Sequence, residues 1–249
     1  AGLAAAGMVP FCNIYSSFMQ RAYDNVIHDV AIQDLPVVMC LDRGGLVGED
    51  GVTHHGVFDM AAFGAVPGLT IAAPMNEPEL RNMMYTALGS GHPFMIRYPR
   101  GHGEGLPWRG EKFETLPVGR GRRLREGADV ALLTVGTVGN AAARAAGRAA
   151  AEGVSVAHYD LRFVKPLDEA LLDEVGRKFR RVVTVEDGSL RGGVGEAVAA
   201  FFNGRGYDVR VQRLGIGDEW VEHGTPGQLY ALCGYDEEGI LRALLDTRA

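Results

Sequence analysis

The chain has 249 residues, of which 47 % are apolar and 22 % charged, and these proportions exclude a disordered or collagen-like chain. The net charge of −6 and the pI near 5.7 exclude a broad basic surface for non-specific nucleic-acid binding. The longest apolar runs are about six residues, far below the roughly 20 needed to span a bilayer.

The N-terminal segment 1–7, Ala-Gly-Leu-Ala-Ala-Ala-Gly, is too short for a signal peptide and lacks its basic start. Its small residues are typical of a helix that packs closely against another element, and we expect a fragment or a processed chain. Cys12, Cys40 and Cys233 have neither the spacing of a disulfide framework nor that of a zinc site. This cysteine usage predicts a reducing, cytoplasmic environment.

In the first part of the chain, the apolar pattern predicts alternating helices and strands. Apolar residues recur at helical spacing from Tyr15 to Val26. Continuous apolar runs predict strands covered on both faces at 36–41, 69–73 and 94–96. Asn76, followed three residues later by Glu79, predicts the start of a helix that ends near residue 89.

The alternation restarts after a segment without periodicity at about 101–123. The apolar pattern predicts strands at 130–135, 154–158, 182–185 and 209–211, and helices at 138–151, 168–179, 193–202 and from 225 onward. Strands that alternate with helices of 10–15 residues indicate βαβ units and parallel sheets. We therefore predict an α/β fold with mainly parallel sheets, divided into a domain at 1–105, a linker at 106–123 and a domain at 124–249.

The loop after the strand at 36–41 has the strongest functional signal. Between residues 42 and 56 it holds an arginine, acidic residues and two histidines among five glycines. It begins where a strand ends, which is where open α/β sheets bind ligands. Arg43 offers a planar fork for a phosphate or carboxylate, and a histidine such as His54 can transfer protons near neutral pH. A long surface loop with ordinary polar side chains is the alternative, although loops of this length are usually functional or disordered.

Arg100 lies in the segment 97–101, directly after the predicted strand at 94–96. Consecutive strands of a sheet are usually neighbours, and in that case Arg100 joins Arg43 in binding an anion. Arginines at a strand end are also common where they only solvate the edge, so this pair alone does not decide between the two interpretations.

Other motifs give weaker signals. Tyr15, Phe18 and Arg21 share one helical face, for which periodicity alone favours a core position. The segment 136–139, Gly-Thr-Val-Gly, ends a strand and opens a helix as a phosphate-binding turn does. It lacks the full dinucleotide fingerprint and the Walker lysine, so close helix–strand packing is the favoured interpretation. The segment 186–193 has a similar position and is interpreted as a connecting loop, with an interface as a further option.

Several stretches together resemble the 1-deoxy-D-xylulose-5-phosphate synthases, a thiamine-diphosphate-dependent family of the transketolase superfamily. They are residues 12–24 (CNIYSSFMQRAYD), 42–59, 98–101 (YPRG), 161–168 (LRFVKPLD), 185–188 (VEDG) and 222–224 (EHG). The pattern Gly-Glu-Asp-Gly-x-Thr-His also occurs in transketolases, but its combination with residues 13–24 and 55–59 is similar to the synthases. The resemblance covers essentially the whole chain.

This resemblance implies a subunit of three parts, of which the chain matches most of the pyrimidine-binding domain and all of the C-terminal domain. It implies a transferase that decarboxylates pyruvate and adds the two-carbon unit to D-glyceraldehyde 3-phosphate. That reaction begins the non-mevalonate isoprenoid pathway and feeds thiamine and pyridoxal synthesis. The implied cofactors are thiamine diphosphate and Mg²⁺, with the metal held by a diphosphate-binding domain outside this chain. The implied assembly is a cytoplasmic homodimer of full-length subunits, with no nucleic-acid or membrane partner.

The resemblance also assigns roles to individual residues. It implies substrate binding by Tyr15, Arg43 and Arg100, cofactor binding by Phe18 and Arg21, and catalysis by Asp50 and His54. Phe18 would stack on the aminopyrimidine ring, and the arginines would hold the triose phosphate through charge-assisted hydrogen bonds. No metal ligand is expected in this chain.

Two family features lie outside the sequence. The glutamate that protonates the pyrimidine ring precedes the point that matches Ala1, and the Gly-Asp-Gly magnesium motif does not occur among the 249 residues. We therefore expect the isolated chain to be inactive. Two alternatives stay open: the β subunit of a 2-oxoacid dehydrogenase E1 component, and a truncated, non-catalytic dimerisation module.

Overall fold

The first of two five-stranded sheets is built mainly from the N-terminal part of the chain. In this computed structural model, which describes residues 1–246, its strand order is β1-β2-β4-β3-β8. The strands are β1 Phe11–Tyr15, β2 Val38–Asp42, β3 Thr70–Ala72, β4 Phe94–Arg97 and β8 Phe163–Lys165. The first four are parallel, and β8 pairs antiparallel with β3. All of β4 and the first four residues of β2 are buried, as expected for apolar strands covered on both faces.

The second sheet has the order β10-β9-β6-β7-β5. Its strands are β5 Arg122–Arg125, β6 Val130–Val135, β7 Val156–Asp160, β9 Arg181–Ser189 and β10 Arg210–Ile216. All pairs are parallel except β5 with β7. The prediction of an α/β fold with mainly parallel sheets is confirmed.

Helices cover both sheets. They are α1 Gly2–Ala5, α2 Ser16–Met19, α3 Tyr23–Asn25, α4 Asp59–Gly64, α5 Glu77–Leu88, α6 Val138–Ala151, α7 Glu169–Lys178, α8 Val194–Gly204, α9 Pro226–Leu232 and α10 Glu237–Leu245. The predicted start of α5 is correct, because the Asn76 side chain accepts a hydrogen bond from the Glu79 amide (3.1 Å). Helix α9 begins with a full capping box formed by Thr225 and Gln228. No helix within residues 1–246 is both long and apolar enough to cross a membrane.

The predicted helix from Tyr15 to Val26 is wrong at its start. Tyr15 ends β1, and the helical stretch that follows contains a 3-10 turn at Gln20–Ala22 and a π-helix at Val26–Ala31. Strand β1 pairs with β2 along its whole length, but its middle residues are polar or small and exposed. Backbone pairing to β2 therefore forms this strand without an apolar pattern.

Besides β1, two more short strands were not predicted. Strand β5 begins inside the predicted linker and carries three arginines on the sheet edge. One of them, Arg122, pairs with buried Asp160 (3.1 Å) and Glu79 (2.9 Å). Strand β8 belongs to the C-terminal part of the sequence but completes the first sheet. The division at 105 and 124 stays a prediction.

Candidate active site

Arg43 and Arg100 lie at the ends of adjacent strands. Strands β2 and β4 pair in parallel, with Leu41 opposite Arg97, so the residues that follow both strands meet at one edge of the sheet. The two arginines line the same cavity of about 490 Å³. Thr137, which precedes α6 of the second sheet's domain, also lines it.

Arg43 has an unusual backbone conformation. Its φ of +60° lies in the left-handed region, which residues other than glycine rarely adopt. The Asp42 carboxylate accepts hydrogen bonds from the Arg43 amide (2.7 Å) and from its guanidinium. The guanidinium carbon lies 4.0 Å from the centre of the Tyr15 ring, a cation–π distance. Among residues 1–246 the buried Nε of Arg43 has no hydrogen-bond partner, so this donor is available to a ligand.

Asp50 ties the glycine-rich loop to Arg100. The Nη1 of Arg100 donates to the Asp50 Oδ2 at 2.7 Å, and the two side chains are 41 % and 42 % exposed. An ion pair this exposed contributes little to stability. It instead keeps Arg100 oriented at the cavity and within reach of an incoming anion.

Three aromatic side chains form a cluster beside Arg43. The rings of Tyr15 and Phe18 stack with centres 5.2 Å apart, and the His54 ring meets Phe18 edge-on at 5.4 Å. The Phe18 side chain is 46 % exposed, so part of its ring is open to a flat heteroaromatic group. The Nδ1 of His54 lies 2.9 Å from the Thr53 hydroxyl. Arg21 lies exposed in the following 3-10 turn. The structure thus brings six of the seven residues named from the resemblance into two adjoining clusters.

A buried network that no sequence pattern predicted holds the loop in place. The Arg97 Nε donates to Asp59 Oδ2 (2.8 Å), and its Nη2 donates to the backbone oxygen of Asp187 (2.9 Å). Ser16 donates to the same Asp59 oxygen (3.0 Å). Burial acts to lower the pKa of Arg97, but the Asp59 and Asp187 carboxylates more than offset this effect and raise it. The network joins β4, α4 and β9, and so fixes the two sheets to each other.

The Asp187 carboxylate binds the glycine-rich loop at 42–56 directly. It accepts hydrogen bonds from the Leu46 amide (3.0 Å) and from the hydroxyls of Tyr235 (2.8 Å) and Tyr230 (3.3 Å). A Cβ on Gly45 would lie 2.0 Å from the Asp187 Oδ2, and Gly45 has a φ of +83°, so only glycine fits there. Burial raises the pKa of Asp187 above its ordinary value. The available sequence signal was the pair of acids directly after the apolar run at 182–185.

The neighbouring Glu186 anchors α8. Its carboxylate accepts from the amides of Val194 and Gly195, both at 2.8 Å. Burial raises its pKa to about 7, against the opposing effect of these two amides. Residues 186–189 belong to β9, so the connecting-loop interpretation is wrong for them. The contacts of the Asp187 backbone oxygen with Arg97 and of the Ser189 amide with the Val57 oxygen (2.9 Å) lie at the interface with the first sheet.

The two adjacent histidines occupy different environments. His54 is half-buried and faces Phe18, whereas His55 is 5 % exposed and its Nδ1 accepts a hydrogen bond from the Val47 amide (3.1 Å). His55 therefore stabilises the loop, and His54 is the one available for chemistry. Within residues 1–246 no group of three or more histidines, cysteines or acids is arranged to hold a metal ion.

Comparisons with known proteins agree with this architecture. Residues 1–104 match the family model described as "Transketolase, pyrimidine binding domain", and residues 119–240 match "Transketolase, C-terminal domain". The chain is 60 % identical over 249 residues to a 1-deoxy-D-xylulose-5-phosphate synthase of Bacteroides fragilis, covering 99 % of this chain and 38 % of that protein. It is 59 % identical over 246 residues to the synthase of Bacteroides thetaiotaomicron, covering 98 % of this chain and again 38 % of the relative.

A solved structure also matches over nearly the whole chain. It is described as "Split gene transketolase, inactive beta4 tetramer", with a TM-score of 0.85, 27 % identity, and coverage of 98 % of this chain and 77 % of that chain. This chain spans about two fifths of the length of the curated relatives. It belongs to the transketolase family and carries that family's pyrimidine-binding and C-terminal domains.

Proposed function

We propose that this chain forms the pyrimidine-binding and C-terminal parts of a 1-deoxy-D-xylulose-5-phosphate synthase. In this transferase reaction, pyruvate loses CO₂ and the two-carbon unit passes to D-glyceraldehyde 3-phosphate, which begins non-mevalonate isoprenoid synthesis and feeds thiamine and pyridoxal synthesis. The observation that carries the proposal is that Arg43 and Arg100 line one cavity beside an exposed aromatic cluster. Identities of 60 % and 59 % to synthases of this name support it.

The aromatic cluster fits the cofactor of the family. The open part of the Phe18 ring can stack on the aminopyrimidine of thiamine diphosphate, with Arg21 nearby. When bound, this cofactor supplies the electron sink that makes decarboxylation of a 2-oxoacid possible. Its diphosphate and Mg²⁺ would be held by a domain outside this chain.

The arginines bind the acceptor substrate. A phosphate monoester carries a charge near −2 at neutral pH, and the guanidinium forks of Arg43 and Arg100 provide both charge and direction. The Tyr15 ring packs against the Arg43 guanidinium and keeps it in position. Since Asp50 pairs with Arg100, it lies where it can also accept a hydrogen bond from a sugar hydroxyl.

His54 transfers protons at the reacting carbons and hydroxyls. Its Nδ1 is engaged with Thr53, which leaves Nε2 as the atom that takes up or delivers a proton. A histidine is suited to this task because its proton affinity is matched to neutral pH.

The assembly that we propose is a cytoplasmic homodimer of complete subunits, in which this chain acts with polypeptide that provides the diphosphate-binding domain. Neither nucleic acid nor membrane is a partner. The chain alone is expected to be inactive. A 2-oxoacid dehydrogenase β subunit and a non-catalytic dimerisation module are the alternatives that the experiment must separate.

A hybrid enzyme tests the proposal. The matched region of the Bacteroides fragilis synthase is replaced by this chain, and 1-deoxy-D-xylulose 5-phosphate is measured after addition of pyruvate and D-glyceraldehyde 3-phosphate. We expect product from the hybrid, and none from this chain alone or from the remainder of the relative alone. A folded, cofactor-loaded hybrid that forms no product contradicts the proposal. Acyl transfer to lipoamide instead would favour the dehydrogenase, and dimerisation without turnover would favour the module.

A further inference from the structure

The wall of the substrate cavity beyond Arg100 is formed by an irregular segment, residues 101–116, here called the strap. Most of the strap is exposed and it contains no helix or strand. It runs along α5, and its first residues, Gly101, His102 and Gly103, line the same cavity as Arg43 and Arg100.

A single arginine of α5 holds the middle of the strap. The Arg81 guanidinium donates to the backbone oxygens of Trp108, Glu111 (3.0 Å) and Lys112 (2.7 Å). The guanidinium carbon of Arg81 also lies 5.0 Å from the centre of the Phe113 ring. Three carbonyls on one guanidinium fix the path of a segment that has no backbone ladder of its own.

The start of the strap is fixed as tightly. Glu77 Oε1 accepts a hydrogen bond from the Gly105 amide (2.7 Å). Gly103 packs so closely on the Glu77 carboxylate that a Cβ there would lie 2.2 Å from Oε1. Gly101 has a φ of +137°, a conformation open to glycine. His102 is therefore flanked by a glycine with a positive φ and by a glycine that packs closely on the Glu77 carboxylate.

The His102 ring has no other evident task. Within residues 1–246 it has no hydrogen bond and no ion pair, although it lines the cavity. Two carboxylates line the cavity too: Asp42 accepts from Arg43 and Glu77 Oε1 accepts from the Gly105 amide, whereas the buried Glu77 Oε2 has no hydrogen-bond partner within residues 1–246. Among the cavity-lining groups without a partner in the described part of the chain, the His102 ring and the Arg43 Nε can donate a hydrogen bond, and Glu77 Oε2 can only accept one.

We propose that His102 is a third ligand of the substrate phosphate, donating a ring N–H to an oxygen that Arg43 and Arg100 also bind. This inference rests on the proposed function for the choice of a phosphate monoester. It assigns the strap a role in substrate specificity, because the strap sets the position of His102.

The test uses the chain itself with sn-glycerol 3-phosphate as the probe and glycerol as the uncharged control. Binding is measured by calorimetry, and the imidazole signals of the seven histidines are followed by ¹H–¹⁵N NMR. Glycerol 3-phosphate is expected to shift the His102 signal, whereas glycerol shifts none. H102A is expected to weaken binding roughly tenfold, as for loss of one hydrogen bond to a charged group. H102Q, which retains an N–H donor, is expected to recover part of the affinity.

The matched control is H92Q. His92 precedes β4 at the end opposite to the cavity and pairs with Asp34 (2.9 Å), so the affinity of H92Q should equal that of the unsubstituted chain. Unchanged affinity of H102A, with R43A still weakened, would overturn the inference and leave the proposed function intact. Absence of any binding by the unsubstituted chain would also overturn it, because all three ligands lie in this chain. Failure of the proposed function would appear separately, as an inactive hybrid enzyme.

Discussion

At the scale of single residues, the site separates side chains that the sequence presents as equivalent. The glycine-rich loop at 42–56 contains two adjacent histidines, but only His54 faces the aromatic cluster. The buried His55 ring accepts a hydrogen bond from the Val47 amide instead. Arg43 and Arg100 could be placed from the sequence because both follow apolar strands. Arg97 and Asp187 could not, because their partners are 38 to 141 positions away in the sequence.

The two histidines provide a matched pair of variants in the hybrid enzyme. H54N is expected to lower kcat by a factor of about 100 or more, the range for loss of a proton-transfer group, with an unchanged melting temperature. H55L is expected to lower the melting temperature, because leucine offers no acceptor to the buried Val47 amide. Turnover and thermal unfolding are measured on both. Unchanged kcat in H54N would remove His54 from catalysis.

At the scale of elements, strands with apolar runs were predictable and strands formed by pairing alone were not. Strands β2, β4 and β6 are buried along nearly all their length and stand out as continuous apolar segments. Strand β1 has exposed polar residues at its centre, and β5 consists mainly of arginines. Their positions depend on long-range contacts that periodicity does not encode.

The order of the strap depends on Arg81, which donates to three of its backbone oxygens. R81M removes the donors to three backbone oxygens, and we expect faster tryptic cleavage after Arg109 and Lys112 because the strap opens more often. The control is R144M, on the exposed face of α6, where the arginine pairs with Glu237. Cleavage is followed by mass spectrometry. Equal cleavage rates in both variants would show that Arg81 does not hold the strap.

At the scale of the whole molecule, the two sheets are joined through the same polar residues that shape the loop. Arg97, Asp59 and Asp187 connect the end of β4 to the end of β9. The presence of two α/β units was predictable from the restart of the alternation after residue 123. Their junction was not, because β8 crosses from the C-terminal part of the chain into the first sheet.

The buried Glu186, which directly precedes Asp187 in β9, predicts a pH dependence of stability. The pKa of Glu186 rises to about 7 from an ordinary 4.5 because the group is buried. Because the folded state binds the Glu186 proton more tightly than the unfolded chain does, the protonated carboxyl stabilises the fold. This stabilisation is complete below pH 4.5 and is lost as the pH rises through 7. The unfolding free energy of the unsubstituted chain relative to E186Q should therefore fall by about 2–3 kcal/mol between pH 4.5 and 8.

Urea unfolding at several pH values measures this difference. Asp160 and His158 have pKa values displaced to about 6 and about 4 by burial, but they are present in both proteins and cancel in the comparison. A constant difference across this range, or one that rises with pH, would contradict the assignment.

The most direct measurement is the KM of the hybrid enzyme for each substrate in R43M and R100M. Each arginine is placed to make a charge-assisted contact worth about 2 kcal/mol with the phosphate, so KM for D-glyceraldehyde 3-phosphate should rise roughly thirtyfold, with KM for pyruvate unchanged. Equal increases for both substrates, or none for the triose phosphate, would contradict the assignment of the two arginines to the acceptor phosphate.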